Sequence, residues 1–163
     1  PDGTSATSGI QTSAGAVNYV RIVGNTIQNF SASCYLIDFN SGSISERVTI
    51  IGNFLTSAVT SGSFNGVYFN SSITDVVMLN NIVDGSSSPS AWGVNFSGSV
   101  SGAFINANRF ANLPGAAVLL GADDASDTLD RIVVVGNAAM NCEAILKDAT
   151  TNGAVVGNTI FTL

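Results

Sequence analysis

The sequence holds no histidine at all. That excludes Ser/His and Cys/His nucleophilic catalysis and most transition-metal sites, all of which rely on imidazole. Positive charge is nearly as scarce. Five Lys and Arg residues are scattered along 163 positions and the net charge is −6. A surface that tracks phosphates needs clustered cations, so nucleic acid is excluded as a partner. Cys34 and Cys142 stand 108 positions apart and form neither a metal nor a redox motif. No apolar run approaches the roughly 20 residues of a membrane span, and no basic stretch precedes an apolar one as in a signal peptide. Charged residues make up only 10 % and apolar ones 45 %, which is unlike a disordered chain. The length suits one domain with a sizeable core. Because the chain opens on Pro1 rather than Met, we read residues 1–163 as a single domain from a longer protein.

What the chain has instead is repetition. VRIVGNTI at 20–27 returns as VTIIGNFL (48–55), VVMLNNIV (76–83), AFINANRF (103–110), IVVVGNAA (132–139) and, shortened, AVVGNTI (154–160). The repeated amides are Asn25, Asn53, Asn81, Asn108, Asn137 and Asn158, spaced 28, 28, 27, 29 and 21 apart. A period in that range marks a solenoid or a propeller. The β-branched runs argue for strands, while helix starts and 3.6-residue periodicity are weak. WD40, kelch and leucine-rich signatures are absent.

A second column lies between the Asn residues: Gly9-Ile10-Gln11-Thr12, Leu36-Ile37-Asp38-Phe39, Gly66-Val67-Tyr68-Phe69, Gly93-Val94-Asn95-Phe96, Ala117-Val118-Leu119-Leu120 and Ala144-Ile145-Leu146-Lys147. Each coil then reads as three strands, which predicts an all-β parallel β-helix of about six coils. Asn suits the corner because it tolerates the left-handed conformation and because its amide can bond to the Asn above and below. Stacked inside the solenoid, such a ladder satisfies buried polar groups coil by coil.

Alternation with period two assigns the faces. Ile22, Ile50, Met78, Ile105, Val134 and Val155 point to the core, as do Ile27, Leu55, Val83, Phe110, Ala139 and Ile160. Val23, Ile51, Leu79, Asn106, Val135 and Val156 then point outward. A lone solvated solenoid would place polar residues there, so we expect another subunit or a further domain to cover that face. The chain also ends on Ile160-Phe161-Thr162-Leu163 with no polar cap, an end that more chain or symmetry mates would cover.

The same columns make smaller expectations. Arg47 and Asp75 fall at one position on consecutive coils, about 4.8 Å apart, where they can form a surface ion pair of small worth. Cys34 and Cys142 fall four coils apart, which is too far for a disulfide and predicts two free, buried thiols. The acidic loop GADDASDTLD at 121–130 carries Asp123, Asp124, Asp127 and Asp130. It lacks the EF-hand pattern and the glycine-rich calcium repeat of other solenoids, so it reads as a solvated loop and no metal site is assigned. The segments between core columns shorten along the chain, from 10, 12 and 11 positions to 8 and then 6. Loops carry function on such scaffolds, so the wider N-terminal coils are the expected binding end.

The V-x-I-x-G-N-x-I unit, with Asn at one corner and long variable loops elsewhere, resembles the right-handed, single-stranded parallel β-helix of the pectate-lyase-like superfamily. The resemblance spans residues 9–163. Its Ser/Gly/Asn-rich, charge-poor, acidic texture, with a period near 28 and apolar outward columns, is most similar to bacteriophage tailspikes. That implies a homotrimeric virion-tail protein, extracellular, that binds and in many cases cleaves bacterial surface polysaccharide. It implies no cofactor. Two alternatives stand beside it. One is a secreted polysaccharide lyase or glycoside hydrolase; the Arg/Lys motifs of pectate lyases and the three-Asp arrangement of polygalacturonases are both missing here. The other is a purely structural stem of a virion fibre.

In that superfamily glycan lies across the outer face of the first strand of each coil. Carried over, the column is Gln11, Asp38, Tyr68, Asn95, Leu119 and Leu146. An aromatic ring flanked by polar acceptors suits a sugar, which offers an apolar face and a rim of hydroxyls. Tyr68, Asn95 and Asp38 are therefore the candidate glycan-binding residues, with Trp92, in the loop before Asn95, as a further stacking platform. If the chain is a depolymerase, hydrolysis needs two carboxyl groups within about 10 Å. Asp38 is the candidate acid/base and Glu46 its candidate partner, with Asp84 in the opposite variable loop.

Overall fold

The computed structural model describes residues 8–12, 15–29, 33–40, 45–57, 61–85, 89–120, 128–147, 152–156 and 158–161. They form a parallel β-solenoid of about four turns, with no helix. Six strands make one sheet: β2 (Arg21–Val23), β5 (Ser45–Ile51), β8 (Ile73–Leu79), β11 (Val100–Asn106), β13 (Leu129–Val135) and β15 (Asn152–Val156). The other sheet has ten strands. One half of it holds β1 (Ser8–Thr12), β4 (Cys34–Phe39), β7 (Ser63–Phe69) and β10 (Ser90–Phe96); the other holds β3 (Thr26–Asn29), β6 (Phe54–Ser57), β9 (Ile82–Asp84) and β16 (Thr159–Phe161). β12 (Arg109–Leu120) and β14 (Ala138–Lys147) run through both halves.

Two expectations are corrected here. The coils do not carry three separate strands throughout, because the runs before and after the variable loop belong to one sheet. Where that loop is shortest nothing is left to separate them, and they merge into β12 and β14 with a bend at Asn112 and Asn141, both left-handed at φ 53° and 54°. Nor are there six coils. Six Asn corners mark about four turns, since the coils at either end are incomplete. Register also slips in two places, the second between Asp130 and Val133 where β13 meets β15. Leu119 pairs with Lys147 rather than with Leu146, after an irregularity between Leu113 and Ala116.

The six Asn residues form a continuous amide ladder. In each step the Oδ1 of one Asn accepts from both the backbone N–H and the side-chain amide of the Asn on the preceding coil, at 2.9–3.1 Å from Asn25 through Asn137. The amides also donate to strand carbonyls such as Ile22, Ile50, Met78 and Ile105. The left-handed turn is not made by these Asn residues. It belongs to the residue before each: Gly24, Gly52, Asn80, Ala107 and Gly136, with φ between 53° and 68°.

The core follows the assigned columns. Ile50, Met78, Ile105, Val134, Leu55, Val83, Phe110 and Ala139 are all fully buried. Phe39, Phe69 and Phe96 stack coil on coil with ring centroids 4.8 and 4.7 Å apart. Where Phe110 needs room, the facing strand supplies Gly93: a Cβ there would stand 2.4 Å from the Phe110 ring and from the Ala117 carbonyl. Cys34 and Cys142 are free and buried, and burial pushes the Cys34 thiol up to about 12.

Arg47 and Asp75 share a left-handed column at φ 55°, as expected from their spacing, but make no ion pair. The Arg47 guanidinium turns the other way, donating to the Tyr19 hydroxyl and lying 4.8 Å over its ring. Among the described residues the ion pair present is Arg131 with Asp130, on the surface. Asp123, Asp124 and Asp127 lie outside the described residues. Among those described, no group of His, Cys, Asp or Glu gathers to hold a metal, and no helix is long and apolar enough to cross a membrane.

Candidate functional site

The outward face of the ten-stranded sheet is built by a break in alternation. Leu36 and Ile37 are both buried, as are Gly66 with Val67, Gly93 with Val94 and Ala117 with Val118. Outward residues in these strands are therefore three apart rather than two. Two adjacent rows result: Ser8, Tyr35, Asn65 and Trp92, in register across β1, β4, β7 and β10, and beside it Gln11, Asp38, Tyr68, Asn95 and Leu119.

These rows interlock. Tyr35 and Tyr68 stack with centroids 4.5 Å apart and planes 20° apart. Asn95 donates to the Asn65 side-chain oxygen at 3.1 Å. The Tyr68 hydroxyl donates to Asn70 Oδ1 at 2.9 Å, and Asn70 in turn donates to Asn40. Trp92 lies in strand β10 rather than in a loop, half-buried. Its indole rests on the next coil at Gly115, where a Cβ would come within 2.6 Å of Nε1.

Two members of these rows are buried, Asn65 at 4 % exposed and Asp38. Expected as an outward acid, Asp38 is 3 % exposed. Its Oδ2 accepts from Ser8 Oγ at 3.2 Å and Gln11 Nε2 at 3.0 Å, while its buried Oδ1 has no partner. Burial raises its pKa above the ordinary value, and the Ser8 and Gln11 bonds only partly offset this. Tyr35 is raised as well, first by burial and then by Tyr68, Asp38 and Cys34.

Glu46 is not brought to Asp38. It is exposed on β5 of the six-stranded sheet, its backbone paired with Val17 and Tyr19. Asp84 is in β9, not a loop, and accepts from Asn112 at 2.9 Å. The face therefore joins Asp38, Tyr68, Asn95 and Trp92 but supplies no second carboxyl group bonded to Asp38. Reading the sequence with strict period two missed Tyr35 and Asn65. The signal available was an aromatic or amide three positions before the outward column in successive coils.

On the other sheet, the column Ile51, Leu79, Asn106 and Val135 is half-buried and Val23 is 49 % exposed. Phe104 lies on the same sheet and is exposed; Phe54 and Ile82, also exposed, begin β6 and β9 of the ten-stranded sheet, just past the Asn corner. No protein-family model, curated protein or solved structure matches the chain. The class is thus defined by the fold itself: a parallel β-solenoid with a polar-aromatic outer face on one sheet and an apolar outward strip among charged residues on the other.

Proposed function

We propose that this chain is a segment of a virion-tail adhesin, tailspike-like and right-handed, that engages bacterial surface polysaccharide outside the cell as a homotrimer. The observation that carries the glycan reading is the Tyr35–Tyr68 stack bordered by Asn95 and Trp92 on the next coil, with Asn95 held by the buried Asn65. Stacked coils repeat at about 4.8 Å, so the face is a long, shallow track suited to a chain of sugars rather than to a single small molecule. Rings offer apolar faces to sugar CH groups, and amides pair with hydroxyls. The exposed apolar residues of the six-stranded sheet support the trimer, since such a face is ordinarily covered. The test is retention on immobilised capsular and O-antigen polysaccharides. Binding that Tyr68→Ala and Trp92→Ala abolish supports the reading; retention of no polysaccharide by the parent protein sinks it.

Depolymerase activity is the second reading, and the buried Asp38 with its unpartnered oxygen favours it. Loss of glycan turnover in Asp38→Ala, with binding retained, would support that role. Unchanged cleavage would remove Asp38 from the chemistry.

A further inference from the structure

Resting on the glycan reading, we infer that the polysaccharide bound by this face is an uncharged one: hexoses, deoxyhexoses and N-acetylhexosamines without carboxylate or phosphate groups. The argument is where the cations are. The five basic residues are Arg21, Arg47, Arg109, Arg131 and Lys147. Arg21, Arg47 and Arg131 are in strands of the six-stranded sheet, and Arg47 and Arg131 are engaged there with Tyr19 and with Asp130 and Ser101. Arg109 stands in the half of the ten-stranded sheet beside the Asn corner, in register with Ile82 and Ala138. Lys147 pairs with Leu119 in the strand register, two coils beyond Asn95. That is about 10 Å at the strand spacing.

The face itself presents Ser8, Gln11, Tyr35, Tyr68, Trp92 and Asn95 around the buried Asp38 and Asn65, on a chain of net charge −6. The loops between these strands contain no Lys or Arg either, by sequence. Anionic sugars are ordinarily recognised by Arg or Lys. Here an acidic chain would lose water from its carboxylates with no cation to replace it, and would meet a repulsive field. Neutral sugars need only amide and hydroxyl partners and aromatic platforms, which are what the rows supply. Among the described residues of these two rows the carboxyl group is Asp38, which is covered, so the rows offer a cationic glycan no free carboxylate.

The experiment sorts immobilised polysaccharides by charge: neutral O-antigens and mannan, acidic polygalacturonate and polysialic acid, and cationic chitosan oligomers. Each is run at low and high salt with the parent protein, Tyr68→Ala and Lys147→Ala. The expected result is retention confined to neutral chains, insensitive to salt and to Lys147→Ala, and weakened roughly tenfold or more by Tyr68→Ala. Salt-sensitive retention of an acidic or cationic chain, or neutral binding that Tyr68→Ala leaves intact, overturns the inference. Retention of no class at all removes the glycan reading itself, which is a different failure.

Discussion

Asp38 is buried, with one carboxyl oxygen bonded to Ser8 and Gln11 and one unpaired. Burial raises its native pKa above the ordinary 3.8, so the folded state holds this proton more tightly than the unfolded chain does. The sign follows. Its contribution to stability is fully present below 3.8 and is lost as pH rises through the native value. Asp38→Asn keeps the acceptor for Gln11 and removes the titration. We expect thermal melts of the parent to lose stability with rising pH, relative to the variant, across the acid range. A pH-independent difference between the two would contradict this. Cys34 makes a companion case: with its thiol at about 12 and its side chain buried, alkylation should require denaturant. Native-state modification at a rate matching a free thiol would show that the coil opens there.

Two element-level devices hold the coils together, and they differ in what they tolerate. The Asn ladder depends on every member inside it. Asn81→Ala removes the acceptor of both Asn53 N–H groups and the donor to the Ile50 carbonyl. Leaving such groups buried and unpaired costs roughly 2–4 kcal/mol. Asn25, exposed at the ladder's end, donates but accepts from no further Asn among the described residues, so Asn25→Ala should cost under about 1 kcal/mol. Urea titration of both variants checks the ranking; equal losses would mean that the ladder is not a cooperative stack. The second device is the fit of Gly93 against Phe110. Gly93→Ala drives a methyl into the ring and the Ala117 carbonyl, with an expected loss of about 1–3 kcal/mol. The double variant Gly93→Ala, Phe110→Leu should recover part of it; no recovery would place the clash with the backbone instead.

At the scale of the whole molecule, the two sheets present opposite problems to solvent. The β1–β4–β7–β10 half of the ten-stranded sheet is polar and aromatic outside and its other half exposes Phe54 and Ile82, while the six-stranded sheet carries Ile51, Leu79, Val135 and exposed Val23 and Phe104. We expect light scattering on a size-exclusion column to give the mass of a trimer, and Leu79→Lys to shift it toward monomer. A monodisperse parent monomer of 16.6 kDa would refute self-association through this face.

The sequence by itself determined the repeat, the core columns, the Asn ladder and the apolar outward strip. Each depends on a neighbour one period away, and a linear period records that directly. Tertiary structure decided what depends on a bend. Whether two runs share a sheet, as in β12 and β14, turns on how the backbone closes a short loop. That Tyr35 joins Asp38 and Tyr68 on one face follows from two successive buried residues, which strict alternation does not allow for. The burial of Asp38 required the side chains of the coils on both sides, Gln11 below and Tyr68 above, and Glu46 was separated from it by a corner that leads into the other sheet. Distances across coils are set by register, and register is a property of the assembled solenoid rather than of any one run.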